Sequence, residues 1–386
     1  MRILIIHTGY KVRGGEDSVV DNEMNLLKSS GHDVDILGFT NSGGTIIKLL
    51  QLPFNFSSYN KTRKAISQFK PDVVHIHNLH FAGSTSVIYA VKKCRVPMVV
   101  TLHNYRMLCP SGTLFFNDKL FTSSINNIFP VEAIKKGVYQ NSKLITLWLA
   151  LSGALNHITK TWDIPDRYII LGSNAKDIFL KSKYQQLTGK MRVKPNFCFP
   201  YTEKQKVPGG YYLYVGRLSP EKGIQGILNT FSKTGLPLKI VGSGPLEEEI
   251  KNFSANYTNI EFVGIKNKDE VYSLISGAAA LIFSSIWYET FGMVIIEAFA
   301  CGTPVIASSI GEAKNIVSDK INGLLFEAGN ENDLYEKVLY YQGLSLENKR
   351  LYQDNALKTY QNYYTPENNL KQLTDIYMEI IDKNAY

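Results

Sequence analysis

The chain has 386 residues, 44% of them hydrophobic and 20% charged, with a net charge of +8. That length holds two domains, each able to bury a core, in a composition ordinary for a soluble enzyme. The longest apolar run, Leu144 to Leu155, is too short to span a bilayer.

The first apolar run, Ile3 to Ile6, follows a single arginine and lacks the small-residue pattern of a signal-peptide cleavage site. The four cysteines, Cys94, Cys109, Cys198 and Cys301, form no Cys-x-x-Cys pair. They argue against a zinc site or disulfide framework and suit a reducing cytoplasm. Charge is uneven: residues 1–195 carry 25 Lys and Arg against 12 Asp and Glu, and residues 196–386 carry 17 against 22. A basic first half suits an anionic partner, either a membrane surface, a lipid-linked phosphate or nucleic acid, or else a bias that only aids solubility.

In chain order, Arg2–His7, Val34–Phe39, Asp72–His77 and Met98–Leu102 read as short buried strands. Helical stretches separate them, among them Ser18–Ser30, closed by Gly31, and Ser84–Cys94. The segment from Thr113 to Lys143 has no clear pattern. Pro and Gly from Lys194 to Pro200 and from Pro208 to Gly210 break the alternation. It resumes with Tyr211–Val215, Leu238–Val241, Ile260–Val263, Ala279–Phe283 and Pro304–Ala307, and Pro366 to Lys383 reads as a final helix. The expected fold is α/β, two doubly wound parallel-sheet domains, with ligands bound beyond the carboxyl ends of the strands and a cleft between the domains.

The segment from Ser284 to Pro304 sets Glu289 just before a helix and Glu297 on it, eight residues later. At 1.5 Å per residue they stand about 12 Å apart. Paired glycosidase carboxylates lie about 5–9.5 Å apart across one anomeric carbon. These two therefore suit two parts of one elongated ligand, as a nucleotide-sugar is. With Trp287, Tyr288, Phe291 and Gly292, the segment resembles the Glu-x7-Glu signature of retaining glycosyltransferases of GT-B fold, family 4 (glycosyl transferases group 1) in particular.

Other motifs are read beside that resemblance. Gly14 and Gly15 precede a helix and can bring N–H groups to a phosphate, although a tight turn explains them equally well. In Gly216 to Gly223, Ser219 is a candidate N-cap, Pro220 the first helical residue, and Lys222 falls in the first turn, where a bound anion would offset the macrodipole. Arg217 and Lys222 match the family's diphosphate-binding pair. His103, after the strand Met98–Leu102, matches its histidine near the sugar, and Asn104 and Arg106 are acceptor-side candidates. Gly242 and Gly244 follow a strand and are candidates for approach to base or ribose. Gly264 and Ile265 resemble the base-contacting segment.

The resemblance implies an N-terminal acceptor domain over residues 1–200, a nucleotide-sugar domain over 201–365, and a last helix, about 366–386, packed back onto the first. It implies transfer of a sugar from a nucleoside diphosphate to an acceptor hydroxyl by a front-face mechanism. Glu289 would hold the sugar, Glu297 the ribose, and the N–H groups of Phe291 and Gly292 the diphosphate. No cofactor or metal is expected. Asp33 and Asp35 match the Asp-x-Asp of metal-dependent transferases but read as a strand start. His75, His77 and His80 suggest a metal cluster, but His75 and His77 alternate on a strand and no carboxylate or cysteine completes the set, so a structural or acceptor-side role is expected. From Cys109 to Lys119 the chain resembles exopolysaccharide-type transferases, but Phe121 and Ser123 stand where that subgroup carries cysteines. The expected acceptor is a saccharide or lipid-linked saccharide, handled in the cytoplasm or on the inner membrane face. A nucleotide-sugar 2-epimerase and an inactive nucleotide-sugar-binding partner are the alternatives. No interleaved aromatic motif supports nucleic acid.

Overall fold

The computed structural model of the chain describes residues 1–9, 14–41, 52, 54–201 and 210–384. Contacts divide it into two units: Met1–Phe116, Phe121–Asn196 and Asn369–Tyr386 in one, Asn117–Leu120 and Phe197–Asn368 in the other.

The first unit is built on β1 (Arg2–Gly9), α1 (Gly15–Ser29), β2 (Asp33–Thr40), α2 (Phe56–Phe69), β3 (Val73–Asn78), α3 (Ser86–Cys94) and β4 (Met98–Leu102). There follow α4 (Val131–Lys136), α5 (Lys143–Ile158), β5 (Arg167–Ile170), α6 (Ser173–Leu180) and β6 (Met191–Val193). The strands pair in parallel in the order β2-β1-β3-β4-β5-β6. Ile3 to Thr8 of β1 and all of β3 are buried, as strands covered on both faces must be. Edge strand β2 instead exposes Asp33 and Asp35, and Arg2 pairs with Asp33 at 3.4 Å. The Asp-x-Asp is therefore a strand start.

The second unit contains β7 (Tyr212–Val215), α7 (Ile224–Thr234), β8 (Leu238–Val241), α8 (Glu247–Ser254), β9 (Ile260–Gly264), α9 (Lys268–Ser276) and β10 (Ala280–Phe283). It continues through α10 (Met293–Ala300), β11 (Val305–Ser308), α11 (Ala313–Ile316), β12 (Gly323–Phe326), α12 (Glu331–Gln342) and α13 (Leu346–Tyr363). Its sheet runs β9-β8-β7-β10-β11-β12, again all parallel. Tyr212, Ile227, Phe231, Ile240 and Ile282 lie at the centre of its core. In this sheet the strand order reverses between β7 and β10, and in the first sheet between β1 and β3. Those switch points are where open parallel sheets leave a crevice for ligand.

The last helix, α14 (Pro366–Asn384), sends Leu373, Ile376, Tyr377 and Ile380 into the first unit's core against Ile3, Ile5 and Val99. Glu379 anchors it further. Its carboxylate accepts from Arg167 and Arg192, each at 2.6 Å, and these bonds, against a smaller effect of burial, bring its pKa down to about 2.

Strands β5, β6 and β12 have no counterpart in the sequence reading. Helix α1 starts at Gly15 rather than Ser18 because the Asp17 carboxylate accepts from Gly14 N–H at 2.9 Å and caps the helix early. Of the Pro/Gly-rich joint, residues 202–209 lie outside the described residues, as do residues 10–13 of the loop before Gly14.

Candidate active site

The second unit's candidates gather at its switch point. After β7 the chain makes a single 3-10 turn, Pro220–Lys222, and Gly223 takes φ +66° before α7 begins. This corrects the expected helix start. Ser219 holds the cap position, but its hydroxyl donates to Glu221 at 2.6 Å, and Lys222 ends the turn instead of lying in the first turn of a helix. The turn is stitched to the loop after β10. Ser284 Oγ donates to the Lys222 carbonyl at 2.6 Å, and Ile286 N–H to the Glu221 carbonyl at 2.9 Å. A Cβ at Gly223 would meet the Ser284 carbonyl at 2.2 Å, so close approach requires glycine there.

That stitching brings Lys222 onto Glu289. The ammonium pairs with Glu289 Oε1, which also accepts from Ser285 Oγ at 2.7 Å. The Lys222 nitrogen lies 5.5 Å from the centre of the Trp287 ring. Burial pushes the Glu289 carboxyl up, but Lys222 and the hydrogen bonds outweigh it and hold the group ionised, below the usual range. The Glu289 backbone is pinned too, since Glu312 N–H donates to its carbonyl at 3.2 Å. Arg217 is exposed, forms no ion pair among the described residues, and is not joined to Lys222.

Glu297 lies on α10, whose N-cap is Gly292 at φ +115°. Burial raises its pKa, opposed by Lys268, and among the described residues it forms no ion pair. The Phe291 ring is core, 3% exposed and edge-on to Tyr364, so only its backbone is available to a ligand. Gly242 and Gly244 have a packing reason for lacking a side chain. Added Cβ atoms would meet the carbonyls of Gly216 and Leu218 at 1.9 and 2.3 Å, where the loops after β7 and β8 bind each other. Gly264 turns the chain at φ +78°, and Ile265 beyond it is 74% exposed.

In the first unit, Asp17 already sits on the Gly14 N–H and accepts from His7 Nε2 at 2.9 Å, so a carboxylate stands where an anion was expected. Gly14 and Gly15 both have open space at the Cβ position. His103 Nε2 lies 3.0 Å from His77 Nδ1, with the rings stacked. Burial, then the neighbouring His77, holds His103 neutral, well below the usual imidazole range. Asn104 and Arg106 are spent partly on their own loop: Asn104 Oδ1 accepts from Arg106 N–H at 3.1 Å, and Arg106 Nη1 donates to the Pro110 carbonyl at 3.1 Å. With His77 and His103 they still line a cavity of about 140 Å³, closed in part by Leu149 and Asn156 of α5.

The histidines after residue 70 need a correction. A carboxylate does complete the set, contributed by α1: Glu23 Oε1 lies 3.0 Å from His75 Nδ1 and 3.2 Å from His77 Nε2. His80 stands apart, bonded to Tyr139 at 3.1 Å. Lys194 Nζ, 3.0 Å from Glu23 Oε2, already supplies the positive charge a metal would bring. A divalent ion beside it would leave a net cationic cluster in the core, so the donor set fits an ion pair better than a metal. Sequence carried one signal of this group. Glu23 falls on the buried stripe of α1 with Val19, Val20, Leu26 and Leu27, where a charge needs a partner.

Residues 202–357 match the family model described as glycosyl transferases group 1, and residues 13–125 that described as glycosyltransferase family 4. An uncharacterised glycosyltransferase of Methanocaldococcus jannaschii is 40% identical over 129 residues, which are 33% of this chain and 36% of that relative. The chain thus spans about a third of that relative's length. A solved glycosyltransferase from Rickettsia africae aligns with TM-score 0.71 at 21% identity over 98% of both chains. Anabaena HepE in complex with UDP aligns with TM-score 0.70 at 15% identity, covering 98% of this chain and 100% of that one. At such identities the likeness is one of fold, and the fold is GT-B.

Proposed function

The chain belongs to the group 1, family 4 glycosyltransferases, and we propose that it moves a sugar from a nucleoside diphosphate donor to an acceptor hydroxyl with retention at the anomeric carbon. The Lys222–Glu289 pair at the second sheet's switch point carries this reading. It keeps a cation and a carboxylate side by side, where a nucleotide-sugar has its diphosphate and its sugar. Lys222, with Arg217, would neutralise charge building on the departing diphosphate, and the N–H groups of Phe291 and Gly292 would add donors. Glu289 would accept from hydroxyls of the transferred sugar and Glu297 from the ribose. His103 is the first unit's candidate for a sugar contact. With leaving-group charge met by cations, a phosphate oxygen of the departing group can take the acceptor's proton on the same face, and the chemistry needs no metal. The UDP in the HepE complex supports a nucleoside diphosphate as ligand. The matching family models favour transfer over the epimerase.

A thermal-shift panel of nucleoside diphosphates and their sugars tests the proposal. A ligand at 100 times its Kd stabilises by about 2.7 kcal/mol, so the true donor should raise Tm by several degrees and the others should not. If no nucleotide in the panel moves Tm, the proposal fails.

A lipid-linked acceptor on an anionic membrane is favoured by one further feature. The apolar run noted in the sequence is α5, and it exposes Leu144, Leu151, Leu155 and Ile158 along one stripe while Leu149 and Ala150 on its other side are buried. Exposed Lys135, Lys136 and Lys143 stand near its start, and Arg63, Lys64, Lys92 and Lys93 add basic surface to the same unit. Near an anionic bilayer each basic residue contributes about 1 kcal/mol, and an apolar helical stripe adds burial at the headgroup boundary. The protein should pellet with anionic vesicles at low salt, release as salt rises and ignore neutral vesicles. Leu151→Glu with Leu155→Glu should abolish pelleting. Failure of the unmodified protein to pellet at low salt would make a soluble acceptor the better reading.

A further inference from the structure

Among the described residues, the side chains that line the first unit's cavity of about 140 Å³ carry one formal charge, that of Arg106. No Asp or Glu of the described chain lines it. The histidines on its wall are neutral, since burial drives His77, His80 and His103 down from the imidazole range, His77 to about 4. Arg106 forms no ion pair among the described residues. Neutral groups hold its guanidinium instead. Nη1 donates to the Pro110 carbonyl at 3.1 Å, and the centre of the Tyr139 ring lies 5.5 Å away. Gly112, at φ +76°, makes room for it: an added Cβ would stand 3.0 Å from Arg106 Nη2. These contacts fix the cation without neutralising it, and its Nε is buried with no partner. A cation drawn partly out of water costs stability unless an anion meets it.

Two amides on the same wall add donors, because their oxygens are already spent. Asn156 Oδ1 accepts from Thr85 Oγ1 at 3.0 Å, and its Nδ2 donates to no described residue. Asn156 is only 8% exposed, so that donor calls for a partner inside the cavity. Asn104 Oδ1 accepts from Arg106 N–H at 3.1 Å, which again leaves Nδ2 over. The hydroxyls of Ser84 and Ser152 are occupied, each donating to the Leu52 carbonyl at 3.4 Å. Much of the remaining wall is apolar, Leu79, Leu102, Met107 and Leu149 among it. A guanidinium and amide NH2 groups can only donate. Set in an apolar wall without a carboxylate, they fit a ligand whose polar end only accepts, an ionised carboxylate or a phosphate. An apolar cavity of about 150 Å³ admits a benzene ring, so this one holds such an oxyanion with few carbons beyond it.

We propose that this cavity binds the oxyanion of an acidic acceptor, a carboxylate or a phosphate, at Arg106 and the NH2 groups of Asn104 and Asn156. The acceptor is then an anion at its bound end and not a neutral saccharide. Its role as acceptor rests on the glycosyl-transfer reading above; the oxyanion site does not. A lipid-linked acceptor supplies a phosphate and an acidic sugar a carboxylate, and the same donors serve both. The cation is held ready for either. Tyr105 N–H donates to the Gly112 carbonyl and Gly112 N–H to the Cys109 carbonyl, each at 2.9 Å, closing the loop around Arg106. Binding therefore spends little on ordering the guanidinium.

Met107 lines the same wall, so its methyl resonance reports on the cavity in the full chain. With methionine methyls labelled in carbon-13 and ionic strength held by chloride, inorganic phosphate or acetate should shift the Met107 signal at millimolar concentration, and glycerol should not. No shift with either anion, or an equal shift with glycerol, overturns the site. The anion that acts, or the tighter of the two, names the group. Arg106→Gln should weaken the response by about tenfold or more, since it takes the charge out of the hydrogen bonds, and Asn156→Leu should weaken it too. Lys222→Ala should leave it intact, which separates this site from phosphate held by the second unit. A response unchanged in Arg106→Gln, or lost in Lys222→Ala, overturns the site. Should Arg106→Gln not fold, Asn156→Leu decides. With the donor found in the thermal panel, glucuronate or glucose 6-phosphate should drive release of nucleoside diphosphate with kcat/KM about tenfold or more above that for glucose, and Arg106→Gln should erase the preference. Equal use of glucose, or no release with either acid, overturns the acceptor role. A panel with no stabilising donor overturns the glycosyl-transfer reading on which that role rests, while the Met107 signal still judges the oxyanion site.

Discussion

Lys222→Ala should lower turnover by about 10²-fold or more, the scale of removing one donor that stabilises leaving-group charge. The geometry adds a second effect. Lys222 is the main force holding the Glu289 carboxyl below its usual range against burial. Without it, burial prevails and the Glu289 pKa rises, so the acidic limb of the pH–rate profile should move to higher pH. Glu289→Ala should abolish most transfer while the free nucleoside diphosphate still binds, because this carboxylate is assigned to the sugar. Glu297→Ala should mainly weaken nucleotide affinity. Initial rates across pH and calorimetric titration with the diphosphate separate these outcomes. A Lys222→Ala enzyme with an unshifted acidic limb, or a Glu289→Ala enzyme that no longer binds nucleotide, would reverse the assigned roles. Activity should also survive EDTA. A strict requirement for Mg²⁺ or Mn²⁺ would return attention to Asp33 and Asp35, which the strand start leaves solvent-exposed.

What sequence conveyed about this chain depended on the range of the interaction. Apolar runs such as Ile3–Ile6 and Leu238–Val241 mark strands by themselves, because burial on both faces demands them, and alternation with helices implies parallel sheets. Glu289 and Glu297 were legible because their spacing is local. The contact that gives Glu289 its charge state was not. It joins Lys222 to a residue 67 positions away through backbone bonds at Ser284 and Ile286, and no local pattern encodes that meeting. Likewise His75 and His77 looked incomplete because their carboxylate arrives from α1 and their cation from the residue after β6. Gly242 and Gly244 show the converse. Their spacing suggested a ligand, yet the carbonyls of Gly216 and Leu218 alone forbid a side chain there.

Lys194→Met should reverse the sign of the first unit's pH dependence above about pH 6.5, where histidines of the unfolded chain are neutral. In the wild type the Glu23 pKa is depressed in the fold, so the unfolded chain binds more protons between the folded and unfolded values. Its contribution is then fully present above about pH 4.3 and is lost as pH falls through the folded value. Methionine fills the lysine's space but removes its charge, leaving a carboxyl that is 1% exposed beside two histidines. Burial then raises its pKa, and the folded group should hold one proton near neutrality. Whether Glu23 or His77 carries it, above about pH 6.5, where histidines of the unfolded chain are neutral, the folded state binds more protons than the unfolded state, and stability should fall as pH rises. Breaking a buried pair costs about 3–5 kcal/mol, so the loss at pH 8 should be large and partly recovered at pH 5. Hydrogen exchange of the β1 and β3 amides, measured at both pH values, reports on this unit separately from the second. If Lys194→Met kept the wild-type pH dependence, Glu23 would not be ionised through Lys194.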